Sequence, residues 1–189
     1  YTIIIASEDR HVYALRGESG EACWAPFQAN GWARGVFTSD LNNDGTSEVL
    51  VSAANRDLYL LDHRGNQINV CSMEYPVRAL FAADIDANNV TEILATTDKK
   101  DLIALTPDFV RLWTNEKFSG RLRALMVVDI DGNGTQEIIT GGDDKYLYIL
   151  NARGEIIWRY YLDARITSIC ACDIDGDDLQ EIIIGADDE

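Results

Sequence analysis

Residues 129–137 read DIDGNGTQE, and the same acidic pattern recurs in residues 40–48 (DLNNDGTSE), 84–92 (DIDANNVTE) and 173–181 (DIDGDDLQE). The first aspartates of these four loops lie 44, 45 and 44 positions apart. A period in the forties, with short apolar segments between polar turns, is typical of a β-propeller in which each repeat forms one sheet. The sequence therefore predicts an all-β fold, a β-propeller built from four-stranded antiparallel blades.

Each repeat contains four short strands, which are labelled A to D in chain order. Strand A ends at the acidic loop and strand B leaves it, and both are apolar, as in LMVVD and EIIT around the third loop. Short apolar runs of this kind suit strands that are buried on both faces. Strand C follows a polar turn, and the outer strand D carries a tryptophan at Trp24, Trp113 and Trp158. We expect these tryptophans to pack one blade against the next.

The repeat divides the chain, which we interpret as one propeller region over residues 1–189, into five segments. They are a partial blade with strands B, C and D (1–33), three full blades (34–77, 78–121 and 122–164) and a partial blade with strands A and B (165–189). Seventeen strands result, whereas four blades need sixteen. We therefore expect the chain to be part of a larger ring or to combine with a second copy. The alternative is a self-contained four-bladed unit with one surplus strand.

Every acidic loop presents oxygen-bearing side chains at positions 1, 3, 5 and 9. Alternate residues of a tight loop face one centre, and such oxygens are the ligands that Ca²⁺ prefers. The candidate ligands are Asp40, Asn42, Asp44 and Glu48; Asp84, Asp86, Asn88 and Glu92; Asp129, Asp131, Asn133 and Glu137; and Asp173, Asp175, Asp177 and Glu181. Position 6 needs a left-handed backbone to turn the chain back, and glycine stands there in two loops. The alternative is an Asx-turn loop, in which the same carboxylates accept backbone N–H bonds without an ion.

The four loops, each followed by a short apolar strand, resemble the FG-GAP or VCBS repeats of integrin-α-like propellers, and the resemblance covers essentially the whole chain. Residues 168–186 (SICACDIDGDDLQEIIIGA) are also similar to intracellular members such as the propellers of the BBSome. The resemblance implies a structural Ca²⁺ held by the side chains at positions 1, 3, 5 and 9 and by the backbone carbonyl at position 7. That carbonyl belongs to Thr46, Val90, Thr135 or Leu179. The chain departs from the family pattern in having Glu at position 9 throughout, where Asp is commoner.

The composition excludes several classes of partner. The chain carries 32 acidic against 16 basic side chains, a formal net charge of −16, which repels phosphate backbones, so we expect no nucleic-acid partner. No apolar run is long enough to cross a bilayer, and we recognise no signal peptide.

The four cysteines form no disulfide framework or zinc motif. Unpaired cysteines favour a reducing, intracellular compartment, and the extracellular space or cell surface is the alternative.

Three arginines open strand A at the end opposite the acidic loops, each six residues before the first aspartate of a loop. They are Arg34, Arg78 and Arg123. They could ring one mouth of a central tunnel and attract an anionic ligand or an acidic peptide. The alternative is that they pair with acids in turns at the same end, namely Asp98, Asp143 and Asp187. Trp32 interrupts the repeat at this end and is the best single candidate for a partner contact.

No catalytic constellation is visible, because the chain has two histidines, no nucleophile elbow and no phosphate-binding loop. We therefore expect a non-enzymatic Ca²⁺-binding propeller that acts as a scaffold for one or more protein partners. One alternative is the propeller domain of a polysaccharide-active enzyme similar to a lyase, which would need reactive side chains that break the repeat. A second alternative is an extracellular adhesion or glycan-binding domain, which differs from the first hypothesis in being exported.

Overall fold

The computed structural model describes residues 1–187, and these residues form strands, turns and loops without a helix. The described part of the chain therefore contains no helix long and apolar enough to cross a membrane. The last predicted segment extends to residue 189, and its final two residues lie outside the described residues.

The described residues form seventeen strands in five antiparallel sheets that follow one another along the chain. The sheets are β1 (Thr2–Ala6), β2 (His11–Arg16) and β3 (Phe27–Gln28); β4 (Ala33–Ser39), β5 (Glu48–Ala53), β6 (Asp57–Leu61) and β7 (Gln67–Ser72); β8 (Val77–Ala83), β9 (Glu92–Thr97), β10 (Leu102–Leu105) and β11 (Arg111–Asn115); β12 (Leu122–Val128), β13 (Glu137–Gly142), β14 (Tyr146–Leu150) and β15 (Ile156–Tyr161); and β16 (Arg165–Cys172) with β17 (Glu181–Asp187). Neighbours in sequence are neighbours in each sheet. The prediction of an all-β fold with four-stranded antiparallel sheets is confirmed.

Burial follows the position of a strand within its sheet. Every residue of β5 and β9, the second strands of two full sheets, is buried. Strand β7, at the outer edge, alternates between exposed and half-buried residues, and β15 is mostly exposed. Continuous apolar runs therefore form the inner strands, because both of their faces are covered, whereas the outer strands tolerate polar residues.

Contacts divide the chain into two compact units, Tyr1–Leu80 and Phe81–Glu189. In the first unit, one buried cluster joins the sheet β1–β3 to the sheet β4–β7. Its buried members are Val12, Ala29, Ala33, Val49, Val51, Ala53, Tyr59 and Leu61. The small residues in this set let neighbouring sheets approach closely, and burial of its larger apolar side chains is the main force that holds them together.

The second unit contains two such clusters, one at each interface between consecutive sheets. The first includes Leu94 and Leu102 from one sheet and Leu122, Ile138 and Tyr148 from the next. The second cluster joins β12–β15 to β16 through Ala124, Ile139, Leu147 and Ile166. The sheet β12–β15 is therefore apolar on both faces, which explains why its strands lack a simple alternation of polar and apolar residues.

Two of the three strand-D tryptophans pack on the next sheet, as predicted. The ring of Trp24 covers Gly65, and the ring of Trp113 covers Gly154, where a β-carbon would lie 2.6 Å from ring atoms in both cases. The side chain of Trp158 is 48% exposed and stacks on the ring of Tyr160, and its packing on a further sheet stays a prediction.

Strand A carries a β-bulge near its start in three of the sheets. The register shifts between Ala33 and Gly35, between Leu122 and Ala124, and between Ile166 and Ser168. The extra residues are Arg34, Arg123 and Thr167. A bulge redirects the side chain of the extra residue, so that it leaves the alternation of the strand.

Candidate metal loops and strand-entry arginines

The four acidic loops share one backbone conformation, with left-handed residues at positions 4 and 6. At position 6 the φ angles are 86° at Gly45, 64° at Asn89, 87° at Gly134 and 68° at Asp178. The predicted left-handed turn at position 6 is therefore confirmed. At position 4 they are 59° at Asn43, 59° at Ala87, 69° at Gly132 and 82° at Gly176. Sequence reasoning missed position 4, although the glycines at 132 and 176 were a signal for it.

The carboxylate at position 1 organises each loop by accepting backbone hydrogen bonds. In the loop at 129, the N–H groups of Asn133 and Gly134 donate to the two oxygens of Asp129 at 3.1 and 2.7 Å. The loops at 40 and 84 repeat this arrangement, with distances of 3.2 and 2.9 Å to Asp40 and of 3.0 and 2.8 Å to Asp84. In the last loop, the N–H groups of Gly176 and Asp178 donate hydrogen bonds to the carboxylate of Asp173 and lower its pKa. The local sequence therefore preforms the loop.

The glutamate at position 9 closes each loop through a hydrogen bond with the residue at position 2. One carboxylate oxygen accepts the N–H of the residue at position 2 in all four loops, from Leu41 at 3.0 Å, Ile85 at 3.1 Å, Ile130 at 3.1 Å and Ile174 at 2.8 Å. Burial raises the pKa of Glu48 and of Glu92, and the backbone hydrogen bond opposes that shift. Because this glutamate is also the first residue of strand B, the loop and the hairpin are mechanically linked.

Three loops bring the carboxylates of positions 1, 3 and 9 together. In each, one oxygen from every carboxylate lies within 4.8 Å of the other two. The triads are Asp84, Asp86 and Glu92; Asp129, Asp131 and Glu137; and Asp173, Asp175 and Glu181. Carboxylates at this spacing repel one another unless a cation or a proton compensates their charge. The donor set therefore fits a hard cation such as Ca²⁺.

The loop at 40 differs because its position 3 is an amide. The Nδ2 of Asn42 donates to Glu48 at 3.3 Å, and its Oδ1 accepts the N–H of Asp44 at 2.8 Å. The amide hydrogen thus compensates part of the glutamate charge that a cation would otherwise neutralise. The chemistry for holding a cation is weaker in this loop than in the other three.

Position 5 follows the geometry of the Asx-turn alternative. Its side-chain oxygen accepts the N–H of position 7, at distances of 2.8 Å for Thr46, 2.7 Å for Val90, 2.7 Å for Thr135 and 2.9 Å for Leu179. The Asx turn thus accounts for position 5, whereas it does not account for the three converging carboxylates. The proposed ligand roles of position 5 and of the position-7 carbonyl stay predictions.

Within the second unit, a surface pocket of about 300 Å³ lies between the loops at 84 and 129. Asp86 and Ala87 line it from one loop, Thr135 and Glu137 from the other, and Arg153 from the adjoining turn. Two of the lining residues belong to carboxylate triads. These triads are therefore open to solvent, so that ions and chelators can reach them.

Ion pairs join arginines near the start of strand A to acids at the same end of two sheets. The Nε of Arg123 contacts Asp143, and Arg165 lies 2.9 Å from Asp187. Arg78 is also engaged. The alternative of local pairing is thus confirmed for Arg123. Sequence reasoning missed Arg165, which lies two residues before Thr167 and forms the ion pair of the last sheet. Arg34 and Trp32 are both exposed, the latter by 48%.

Four-stranded sheets repeat along the chain, and an acidic loop connects strand A to strand B in every repeat that contains strand A. These features define the class as β-propeller repeats. The lambda-carrageenase beta-propeller domain model matches residues 73–159 and 93–189, which together make up more than half of the chain. The chain belongs to this family of β-propeller domains. No curated protein sequence matches it.

Solved propellers share the fold at low sequence identity. BBS1N, crystallised in complex with ARL6DN, superposes with a TM-score of 0.78 at 11% identity, covering 97% of this chain and 58% of that one. The WD40 propeller of Doa1 has a TM-score of 0.73 at 18% identity, covering 98% and 57%. The V. cholerae biofilm matrix protein Bap1 has a TM-score of 0.69 at 21% identity, covering 97% and 30%. The chain thus spans between about a third and three fifths of these structures, and the likeness shows the fold.

Proposed function

We propose that this chain is a Ca²⁺-stabilised propeller region that acts as a protein-interaction scaffold and catalyses no reaction itself. The observation that carries the proposal is the carboxylate triad, which recurs in three loops with the same spacing. Repetition of one polar arrangement at successive sheets favours a structural role, because a catalytic site needs one place that differs from the others. We assign the loops to the FG-GAP or VCBS type on their resemblance to those repeats.

The expected role of the ion is to secure the innermost hairpin of each sheet. The ligands come from the end of strand A, from the loop and from the first residue of strand B, as in β12, the loop at 129 and β13. A cation that binds all of them links the two strands across the loop. Binding therefore adds to the stability of the hairpin, by about 2.7 kcal/mol per site when free Ca²⁺ is about 100 times Kd.

A solved propeller of similar fold that was crystallised in a complex supports the scaffold role. BBS1N was crystallised with a protein partner, and its sheets superpose on those of this chain at low identity. Propellers present two rims of loops on a rigid framework, which suits recognition of other proteins. The exposed Trp32 and Arg34 lie at the start of β4, whereas the acidic loop of the same sheet follows its end, so binding there need not disturb an ion in that loop.

The metal proposal is tested by calorimetric titration with CaCl₂ and by thermal unfolding in Ca²⁺ or in EGTA. We expect at least three ions per chain and a melting temperature that rises by roughly 5–10 °C for each site occupied at 100 times Kd. The double variant Asp131→Asn and Glu137→Gln should lose one ion, whereas Asp108→Asn, an exposed acid outside the loops, should lose none. An unchanged melting temperature in EGTA would refute the structural ion.

A second candidate function follows from the family, whose name refers to an enzyme acting on lambda-carrageenan. The chain could then be the propeller domain of a polysaccharide-active enzyme. Incubation of the purified chain with lambda-carrageenan, followed by an assay for new reducing ends, separates the two candidates. We expect no turnover, and turnover by this chain would replace the scaffold proposal. An adhesion or glycan-binding role without turnover would instead be indicated by retention on a lambda-carrageenan matrix.

A further inference from the structure

An arginine near the start of strand A forms an ion pair in two of the sheets, and the sheet β4–β7 lacks the acid for such a pair. In the sheet β12–β15, the extra residue of the bulge, Arg123, contacts Asp143 in the turn after strand B. In the last sheet, Arg165 contacts Asp187 at the end of β17. Arg123 and Arg165 are thus each neutralised within their own sheet.

The sheet β4–β7 has the arginine without the acid. Arg34 is the extra residue of its bulge, as Arg123 is in its own sheet. The place of Asp143 is taken by Ala54, and the backbone shows the equivalence: the Ala54 N–H donates to the Trp32 carbonyl at 2.9 Å, as the Asp143 N–H does to that of Arg121 at 2.9 Å. No ion pair of Arg34 occurs among residues 1–187.

The other acid in this turn is already engaged. Asp57 accepts hydrogen bonds from Ser72 at 2.6 Å, from Asn55 at 2.6 Å and from Tyr59 at 3.0 Å. These three donors use both of its oxygens, so they leave little capacity for a guanidinium group. Arg34 therefore keeps its five N–H donors available to an external carboxylate, which it can bind through two parallel hydrogen bonds.

An exposed tryptophan, Trp32, stands at the same end of strand A as this arginine. Trp32 is two residues before Arg34 and 48% exposed, and its carbonyl is held by Ala54. In the sheet β12–β15 the equivalent position holds another cation, Arg121, so the aromatic residue is particular to this sheet. Tryptophan and arginine are the residues most enriched among the energetic centres of protein interfaces.

We propose that Trp32 and Arg34 form the anchor for the scaffold's protein partner, and that the partner presents a carboxylate next to an apolar side chain. The inference rests on the proposed scaffold function and names the chemistry of its partner. The carboxylate takes the place that Asp143 occupies opposite Arg123, and the apolar side chain packs on the indole. The absence of a carboxylate at Ala54 is what makes the site available.

The test uses the whole chain with Ca²⁺ and the peptide Gly-Asp-Leu-Glu-Phe-Gly, with Gly-Asn-Leu-Gln-Phe-Gly as the uncharged control. Binding is followed by NMR through the indole resonance of Trp32 and the Nε resonance of Arg34. We expect the acidic peptide to shift both signals and the control peptide to bind about tenfold more weakly or not at all. Absence of any shift with the acidic peptide would overturn the proposal.

Substitutions at position 54 supply the matched comparison. Ala54→Asp rebuilds the internal ion pair and should weaken peptide binding about tenfold or more, whereas Ala54→Asn, of similar size and uncharged, should leave it nearly unchanged. Both variants keep Arg34 and Trp32, and Ala54→Asn controls for the added size of the side chain. Equal affinities for the two variants would contradict the role of Arg34.

One further arm separates failure of the anchor from failure of the proposed function. The same sample is titrated with lambda-carrageenan fragments and assayed for their cleavage. Shifts of Trp32 and Arg34 by the fragments and not by the peptide would assign the pair to a polysaccharide and overturn the anchor. Cleavage would overturn the non-catalytic function, whatever the peptide does.

Discussion

The indole ring of Trp113 packs directly on Gly154, which belongs to the next sheet of the second unit. The Nε1 of Trp113 donates to the carbonyl of Ala152 at 3.0 Å, and the ring covers Gly154, which has a φ of 74°. The amide of Asn115, two residues further along β11, donates to the Gly154 carbonyl at 2.7 Å. The outer strand of one sheet is thereby attached to the turn between strands C and D of the next.

Gly154→Ala should be strongly destabilising, because it adds two costs. The left-handed backbone costs about 1–2 kcal/mol with a β-carbon present, and the clash with the indole costs about 1–3 kcal/mol more. Gly20→Ala is the control for the first cost alone, since Gly20 has a φ of 71° and nothing within 4 Å of its β-carbon position. Denaturant unfolding of both variants measures the difference. Equal losses would mean that the indole does not confine Gly154.

Ala87→Gly should stabilise the chain by about 1 kcal/mol. Ala87 has a φ of 59°, and a left-handed alanine is strained where glycine is not. The equivalent residues in the next two loops, Gly132 and Gly176, are already glycine. Thermal unfolding should show a rise of roughly 2–4 °C. Ala25→Gly, at an exposed position outside the left-handed region, is the control and should give no rise.

Asn42→Asp should strengthen Ca²⁺ binding in the first loop by about tenfold, because added ligand charge tunes the affinity of such sites. The substitution would give this loop the carboxylate triad of the other three. The amide resonance of Gly45, followed by NMR during a Ca²⁺ titration, reports on this loop alone. Asn43→Asp adds the same charge one residue away, and an equal gain in that variant would show that general electrostatics, rather than coordination, is responsible.

Asp57 should make stability depend on pH in the acid range. Burial raises the pKa of Asp57, but hydrogen bonds from Ser72, Tyr59 and Asn55 outweigh it, so the pKa lies below its usual value of 3.8. A carboxyl with a lowered pKa in the folded state contributes stability above its unfolded pKa, and the contribution is lost as pH falls through the folded value.

Asp57→Asn should therefore cost about 1–3 kcal/mol in the free energy of unfolding at pH 7. The difference from the wild type should shrink as the pH falls below 3.8, the unfolded value, where the wild-type carboxyl also becomes protonated. Urea unfolding at a series of pH values measures it, with Asp108→Asn as an exposed control. A cost that stays constant down to pH 2 would show that Asp57 does not act through its charge.

The spacing of residues within nine positions was enough to predict the acidic loops. The left-handed turn at position 6 and the start of strand B at Glu137 depend on neighbours in sequence, and the structure agrees with both. The period of the loops likewise predicted the sheets, because one supersecondary unit is repeated. Position 4 was missed because its residue type varies from loop to loop, and Ala87 there carries no signal of a left-handed backbone.

The amino-acid sequence by itself thus determined the repeat, the strand order and the candidate ligands, since these follow from local backbone preferences and hydrophobic pattern. Tertiary structure alone decided which arginines are neutralised, which tryptophans are covered and which carboxylates converge. Arg123 and Asp143 are 20 residues apart, and the bulge in β12 together with its register against β13 brings them into contact. Ala54 matters for the same reason. Only the fold brings this uncharged residue next to the start of β4, at the position where the sheet β12–β15 has Asp143.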